Sequence, residues 1–143
     1  MLFLCTGNSA RSQMAEGWLR HLSAGRVEAA SAGTEPRGLH PLAVRVMAER
    51  GVDISRQRSK HLSELQGMRF DWVVTVCDRA RQTCPVFPGA RAVHWDLPDP
   101  AEAEGSEEEV AEAFRRVRDD LARRVAELWE VLEGQEPSTP GLL

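Results

Sequence analysis

Two segments, Met1-Leu-Phe-Leu-Cys5 and Asp71-Trp-Val-Val-Thr-Val-Cys77, run apolar without alternation. A strand with one wet face alternates polar and apolar residues, whereas runs like these need cover on both faces. That need points to a parallel sheet under helices, and the rest of the chain can supply them. From Arg11 onward, Met14, Ala15, Trp18, Leu19 and Leu22 share one helical face, and Gly25 stops it. His40-Pro41 opens a second helix, which Gly51 closes. Residues 27–32 and 91–95 are predicted as further strands and 62–65 as a short helix. Ser106-Glu-Glu-Glu109 has capping-box spacing. Behind it Val110, Phe114, Val117, Leu121, Val125, Leu128 and Leu132 mark a long amphipathic helix that Gly134 ends. The expected fold is α/β, a small doubly wound sheet of about four parallel strands flanked by helices. With 143 residues, residues 1–134 are expected to form a single domain, and 135–143 a disordered tail.

No run approaches the ~18 apolar residues of a membrane helix. The apolar start is too short for a signal peptide and has no basic flank before it. Three cysteines, an odd number, exclude a fully paired disulfide framework. A cytoplasmic, monomeric protein is expected. The net charge of −4 argues against nucleic acid as a partner. Residues 101–136 carry 12 acidic and 5 basic side chains, while residues 1–100 carry 10 and 13. The first hundred residues are thus mildly basic, which suits a small anion.

Parallel α/β sheets place their ligands at the carboxyl ends of strands, and Cys5 and Cys77 both fall there. After Cys5 the chain reads Thr6-Gly7-Asn8-Ser9-Ala10-Arg11-Ser12 into a helix. Small residues let the amides of Thr6 to Ala10 turn inward around an anion, and the helix N-terminus adds positive potential. Arg11 offers a planar fork for two oxyanion oxygens. A Cys5 thiolate below the cradle would be a nucleophile, with Ser12 donating to its sulfur. The plainer alternative is a buried strand-end cysteine and a surface arginine. The nucleotide P-loop pattern is absent.

Cys5-Thr-Gly-Asn-Ser-Ala-Arg-Ser12-Gln-Met-Ala-Glu16-Gly resembles the opening of the thioredoxin-coupled arsenate reductases, which share the fold and loop of the low-molecular-weight protein tyrosine phosphatases. The resemblance continues through Ser31-Ala-Gly33, Val74-Thr-Val-Cys77, Cys84-Pro85 and His94-Trp95 to Asp99-Pro100. It implies arsenate as substrate, with phosphate and sulfate as competing oxyanions, and residues 1–134 as the catalytic domain. It also implies a relay: Cys5 attacks arsenate, Cys77 takes up the Cys5 sulfur, and Cys84 exchanges onto Cys77. Thioredoxin is then the external reductant, with no bound cofactor. Seven helical residues rise about 10.5 Å, beyond disulfide reach, so a helix over 78–83 would have to unwind when Cys77 and Cys84 join. By the same resemblance Asp99, directly before Pro100, is the general acid. Asp96 reads as a turn former. Pro98 departs from the family's usual Asp-Asp-Pro.

Some members bind potassium through positions matching Asn8, Glu16 and Ser31 plus an acidic group, where this sequence has Lys60. An ammonium there would replace the ion, so no potassium requirement and no metal are expected. Asn8 is also expected to hold the loop by side-chain-to-backbone bonds. His21, His40, His61 and His94 show no ligand spacing and read as surface or structural. Trp18, Trp72, Trp95 and Trp129 read as core. A phosphatase acting through Cys5, Arg11 and Asp99 is the first alternative, and a non-catalytic redox sensor or oxyanion binder the second. Asp99-Pro100 is followed by Ala101-Glu102, and the chain has no Tyr. That leaves no aromatic wall for an aryl substrate.

Overall fold

The computed structural model describes residues 1–65, 67–76 and 89–134. Cys77, Cys84, the 78–83 segment and the 135–143 tail lie outside the described residues. The elements follow in the order β1 (Leu2–Cys5), α1 (Arg11–Leu22), β2 (Ala30–Gly33), α2 (Pro41–Ala48), a 3-10 turn (Leu62–Leu65), β3 (Trp72–Thr75), β4 (Arg91–His94), a second 3-10 turn (Pro100–Glu102) and α3 (Glu107–Gly134).

The strands form one sheet in the order β2-β1-β3-β4. Every pairing is parallel, with Leu4 opposite Ala32 on one side and Thr75 on the other. All four residues of β1 are buried, as its unbroken apolar run requires. Alternate side chains then feed two cores. Phe3, Cys5, Val74 and Val76 join Met14, Leu19, Val46, Phe114 and Leu121 beneath α1, α2 and α3. Leu2, Leu4 and Val73 turn to the other face, with Leu65 and Phe70. Sheet order reverses direction between β1 and β3, and the carboxyl edge at that switch point is where α/β sheets open a crevice.

Local signals set the boundaries. Ser106 and Glu109 close the expected capping box, Glu109 N donating to Ser106 Oγ and Ser106 N to Glu109 Oε1, each at 3.2 Å. The His40 side chain caps α2, and Pro41 sits at its first position. Trp18 and Trp95 are buried, and Trp72 and Trp129 pack partly buried against the core. No helix among the described residues is long and apolar enough to cross a membrane.

Candidate active site

β1 carries Cys5 to the carboxyl edge of the sheet, where its side chain is 2% exposed. The chain then turns through Thr6–Ala10 into α1. The carbonyls of this turn face outward: Glu35 N donates to Thr6 O (2.8 Å), Arg37 N to Gly7 O (2.9 Å) and His40 N to Ser9 O (3.0 Å). In a trans peptide the following N–H points the opposite way, so the amides of Gly7, Asn8 and Ala10 turn inward. Asn8 N reaches Cys5 Sγ at 3.2 Å. A left-handed φ of 45° at Asn8 bends the loop, a conformation asparagine tolerates better than most side chains.

Gly33 lets the loop lie against β2. A Cβ at that position would stand 2.5 Å from Thr6 O and 2.9 Å from Asn8 N. Only a residue without a side chain permits this approach.

The sulfur has an ordered polar backing. Ser12 Oγ lies 2.8 Å from Cys5 Sγ and accepts from Asn8 Nδ2 at 2.8 Å. With that lone pair occupied, the Ser12 hydrogen is available to the sulfur. Asn8 Oδ1 accepts from Lys60 N (2.9 Å) and Gln13 Nε2 (3.1 Å). Gln57 Nε2 in turn donates to Gln13 Oε1 at 2.8 Å. The expected side-chain-to-backbone bond of Asn8 is therefore present. Gln13 and Gln57 are supporting residues that sequence reasoning missed, and an amide in the first turn of a helix carries no signal of this use.

Arg11 is 8% exposed. Its Nη1 donates to Leu97 O (3.0 Å) and Val76 O (3.3 Å), and its Nη2 stands 3.5 Å from Asp99 Oδ2. Asp99 Oδ1 accepts from Ala101 N at 3.0 Å, which caps the 3-10 turn after it. Cys5, Arg11 and Asp99 share a cavity of about 320 Å³ with Thr6, Gly7, Ser9 and Ala10 of the loop. Arg37, His40, Ala101 and Glu102 are among the other residues of its wall. The cavity brings inward amides, a guanidinium, a helix N-terminus and a buried sulfur to one place, a setting for a tetrahedral oxyanion. Asp96 is exposed and does not line it.

Two expectations change. Lys60 does not supply the charge near Glu16. Its Nζ donates to Arg58 O, and only its backbone N–H turns to Asn8. Arg20 is the cation instead, with Nη2 2.7 Å from Glu16 Oε2, while Ser31 Oγ donates to Glu16 Oε1 at 2.6 Å. Arg20 lies one helical turn after Glu16, a spacing that brings side chains together. His40, read as surface or structural, does cap α2 but also walls the cavity. Among the described residues no cluster of His, Cys, Asp and Glu suits a metal ion.

A parallel sheet whose first strand ends in a cysteine beneath an amide-lined, arginine-held cradle defines a class of oxyanion-handling proteins built on a cysteine sulfur. Within it, this chain belongs to the low molecular weight phosphotyrosine protein phosphatase family, whose model it matches over residues 1–138. It is 47% identical over 124 residues to an arsenate reductase of Halalkalibacterium halodurans, covering 86% of this chain and 89% of that one. It superposes on an arsenate reductase in the phosphate-binding state with a TM-score of 0.77 at 34% identity, covering 89% of this chain and 93% of the other. A thioredoxin-dependent arsenate reductase of Corynebacterium glutamicum gives the same TM-score at 31% identity, covering 94% of this chain and 62% of that one.

Proposed function

We propose that the chain is a thioredoxin-dependent arsenate reductase. The observation that carries this reading is the Cys5 sulfur, backed by Ser12 and Asn8 N–H, inside the amide and Arg11 cradle. The identity shared with named arsenate reductases supports the choice of substrate.

In the proposed reaction arsenate sits on the inward amides, with Arg11 on its oxygens. The Cys5 thiolate attacks arsenic, and one oxygen leaves as water after Asp99 gives it a proton. The Cys77 thiolate then attacks Cys5 Sγ. The sulfur–arsenic bond breaks with its electron pair left on arsenic, so arsenate becomes arsenite and two thiols become the Cys5–Cys77 disulfide. Cys84 displaces Cys5 from Cys77, and the dithiol of thioredoxin reduces the resulting Cys77–Cys84 bond. Residues 1–134 form the catalytic domain of a cytoplasmic monomer, and phosphate and sulfate compete for the cradle. No potassium is required, because Arg20 already faces Glu16.

Phosphomonoester hydrolysis through Cys5, Arg11 and Asp99 is the second reading, favoured by the family's own description. The wall beyond Asp99 opposes an aryl substrate, since Ala101 and Glu102 stand there.

Arsenate-dependent NADPH oxidation with thioredoxin and thioredoxin reductase, run beside hydrolysis of a phenyl phosphate, separates the readings. Turnover requiring both arsenate and thioredoxin is expected. Cys5→Ala abolishes both activities, while Cys77→Ala and Cys84→Ala remove reduction and spare hydrolysis. Hydrolysis without arsenate-dependent oxidation makes the chain a phosphatase. Anion binding without either product makes it a sensor or binder.

A further inference from the structure

His40 holds a place in the cavity that neither the relay nor the cradle uses. Three contacts fix its ring. Its backbone N–H is tied to Ser9 O of the loop at 3.0 Å. Its Nδ1 accepts from Leu42 N at 3.1 Å, capping α2. The ring packs against Phe114 of α3, with centroids 4.7 Å apart and the planes tilted by 44°.

An Nδ1 that accepts from an amide carries no proton, so the neutral ring bears its hydrogen on Nε2. Burial pushes the imidazole below its ordinary value and so favours this neutral form, with the Asp99 carboxylate acting in the opposite sense. The other charged groups on the same cavity are Arg11, Arg37 and Glu102. From α3 the ring meets uncharged Phe114. No described residue accepts from His40 Nε2, the bond to Leu42 N being the side chain's only hydrogen bond among the described residues. A bonded nitrogen on the helix side thus leaves an N–H donor that no described residue uses, on a residue of the cavity wall.

We propose that His40 is a substrate-contacting residue, its Nε2–H donating a hydrogen bond to the oxyanion oxygen that faces away from Cys5. This rests on the reading of the cavity as the oxyanion site. The cradle amides and Arg11 hold the inner oxygens, which leaves the outer one to the wall. His40 and Asp99 share that wall and feel each other's charge. A neutral donor suits this place. It binds the outer oxygen without a second full charge to hold Asp99 away, and it stays with the oxygen after Asp99 has protonated it. The two side chains then divide the work at one atom, His40 orienting the oxygen and Asp99 supplying the proton.

Sulfate is the probe, because it remains a dianion throughout the working range and does not react with Cys5. The reduced full-length chain, labelled with nitrogen-15, is titrated with sulfate while the amides of Gly7, Asn8 and Ala10 and the His40 ring nitrogens are followed. The expected result is a protonated Nε2 whose resonance moves together with the loop amides at one dissociation constant. His40→Asn keeps a side-chain oxygen for Leu42 N, while its amide Nδ2 ends closer to the backbone than the imidazole Nε2 and falls short of the outer oxygen. It should bind sulfate roughly tenfold to a hundredfold more weakly, as expected for losing one hydrogen bond to a charged group, with its melting temperature little changed. His40→Ala should lose both the affinity and the cap. If His40→Asn binds sulfate as the wild type does, or if the loop amides move while Nε2 does not, the His40 role is wrong and the cradle stands. If neither the amides nor Nε2 responds, the oxyanion reading of the cavity falls and the His40 role falls with it.

Discussion

Arg11 Nη2 stands 3.5 Å from Asp99 Oδ2, and both residues line the cavity that holds Cys5. The guanidinium proposed to grip an oxyanion thus faces the side chain proposed to protonate it. Arg11 keeps its position through Nη1, which donates to Leu97 O and Val76 O on the far side. An entering dianion therefore competes with Asp99 for Nη2 while the arginine itself stays anchored.

Asp99→Asn should separate binding from turnover. Removing the competing carboxylate is expected to tighten sulfate binding, and removing the acid to slow turnover about 100-fold or more. Calorimetry with sulfate and steady-state rates on the same preparation check both. A variant that binds sulfate less well shows that the carboxylate supports the cradle instead of competing with it.

Ser12→Ala tests the backing of the sulfur. It removes the Oγ that lies 2.8 Å from Cys5 Sγ and accepts from Asn8 Nδ2. A thiolate that loses a donor is less favoured against its thiol. The pH midpoint of Cys5 alkylation by iodoacetamide should move up, and alkylation at pH 7 should slow about tenfold. An unchanged midpoint means that Ser12 does not support the thiolate.

Glu49 links acid stability to the packing of α2 on α3. Hydrogen bonds from Arg115, with Arg118 adding, hold its carboxyl down to about 2, against 4.5 ordinarily. The nearest contacts are Arg118 Nη1 at 2.8 Å and Arg115 Nη2 at 2.9 Å. A carboxyl with a lowered folded-state value contributes stability that is present above pH 4.5 and lost as pH falls toward 2. The melting temperature of the wild type should therefore drop more steeply across that window than that of Glu49→Gln. Parallel melting curves for the two proteins contradict this.

Glu16 is 4% exposed and already has a cation in Arg20. Replacing potassium by sodium should leave turnover unchanged at constant ionic strength. Arg20→Met leaves the buried Glu16 carboxylate with the Ser31 hydrogen bond but without its cation, and should lower the melting temperature, since an uncompensated buried charge is costly. A severalfold gain in wild-type activity with potassium would show that Arg20 does not replace the ion.

Much of the architecture was legible because it is written in near neighbours. The unbroken apolar run of β1 demands two covered faces, and both cores meet at it. The Ser106–Glu109 box spans three residues and closes as its spacing implies. Cys5, Arg11 and Ser12 share one strand-to-helix turn, so their meeting needs little help from the rest of the fold. The cation beside Glu16 was misplaced for a physical reason. A family position pointed to Lys60, but the nearer guanidinium, four residues along the same helix, reaches the carboxylate first.

The order of residues was enough to set the class of fold, the edge of the sheet that bears the site, and the loop at its centre. Those follow from hydrophobic periodicity and from covalent spacing, which act over a few residues. What folding alone assigned are the partners of that loop. Gln57 braces Gln13 from 44 residues away, Lys60 reaches Asn8 from 52, and Leu97 anchors Arg11 from 86. His40 joined the cavity wall in the same way, because its N–H meets Ser9 O across the loop and its ring meets Phe114 of α3. Each contact depends on where the sheet and its helices bring distant backbone groups together. A pattern read along the chain holds no measure of those distances.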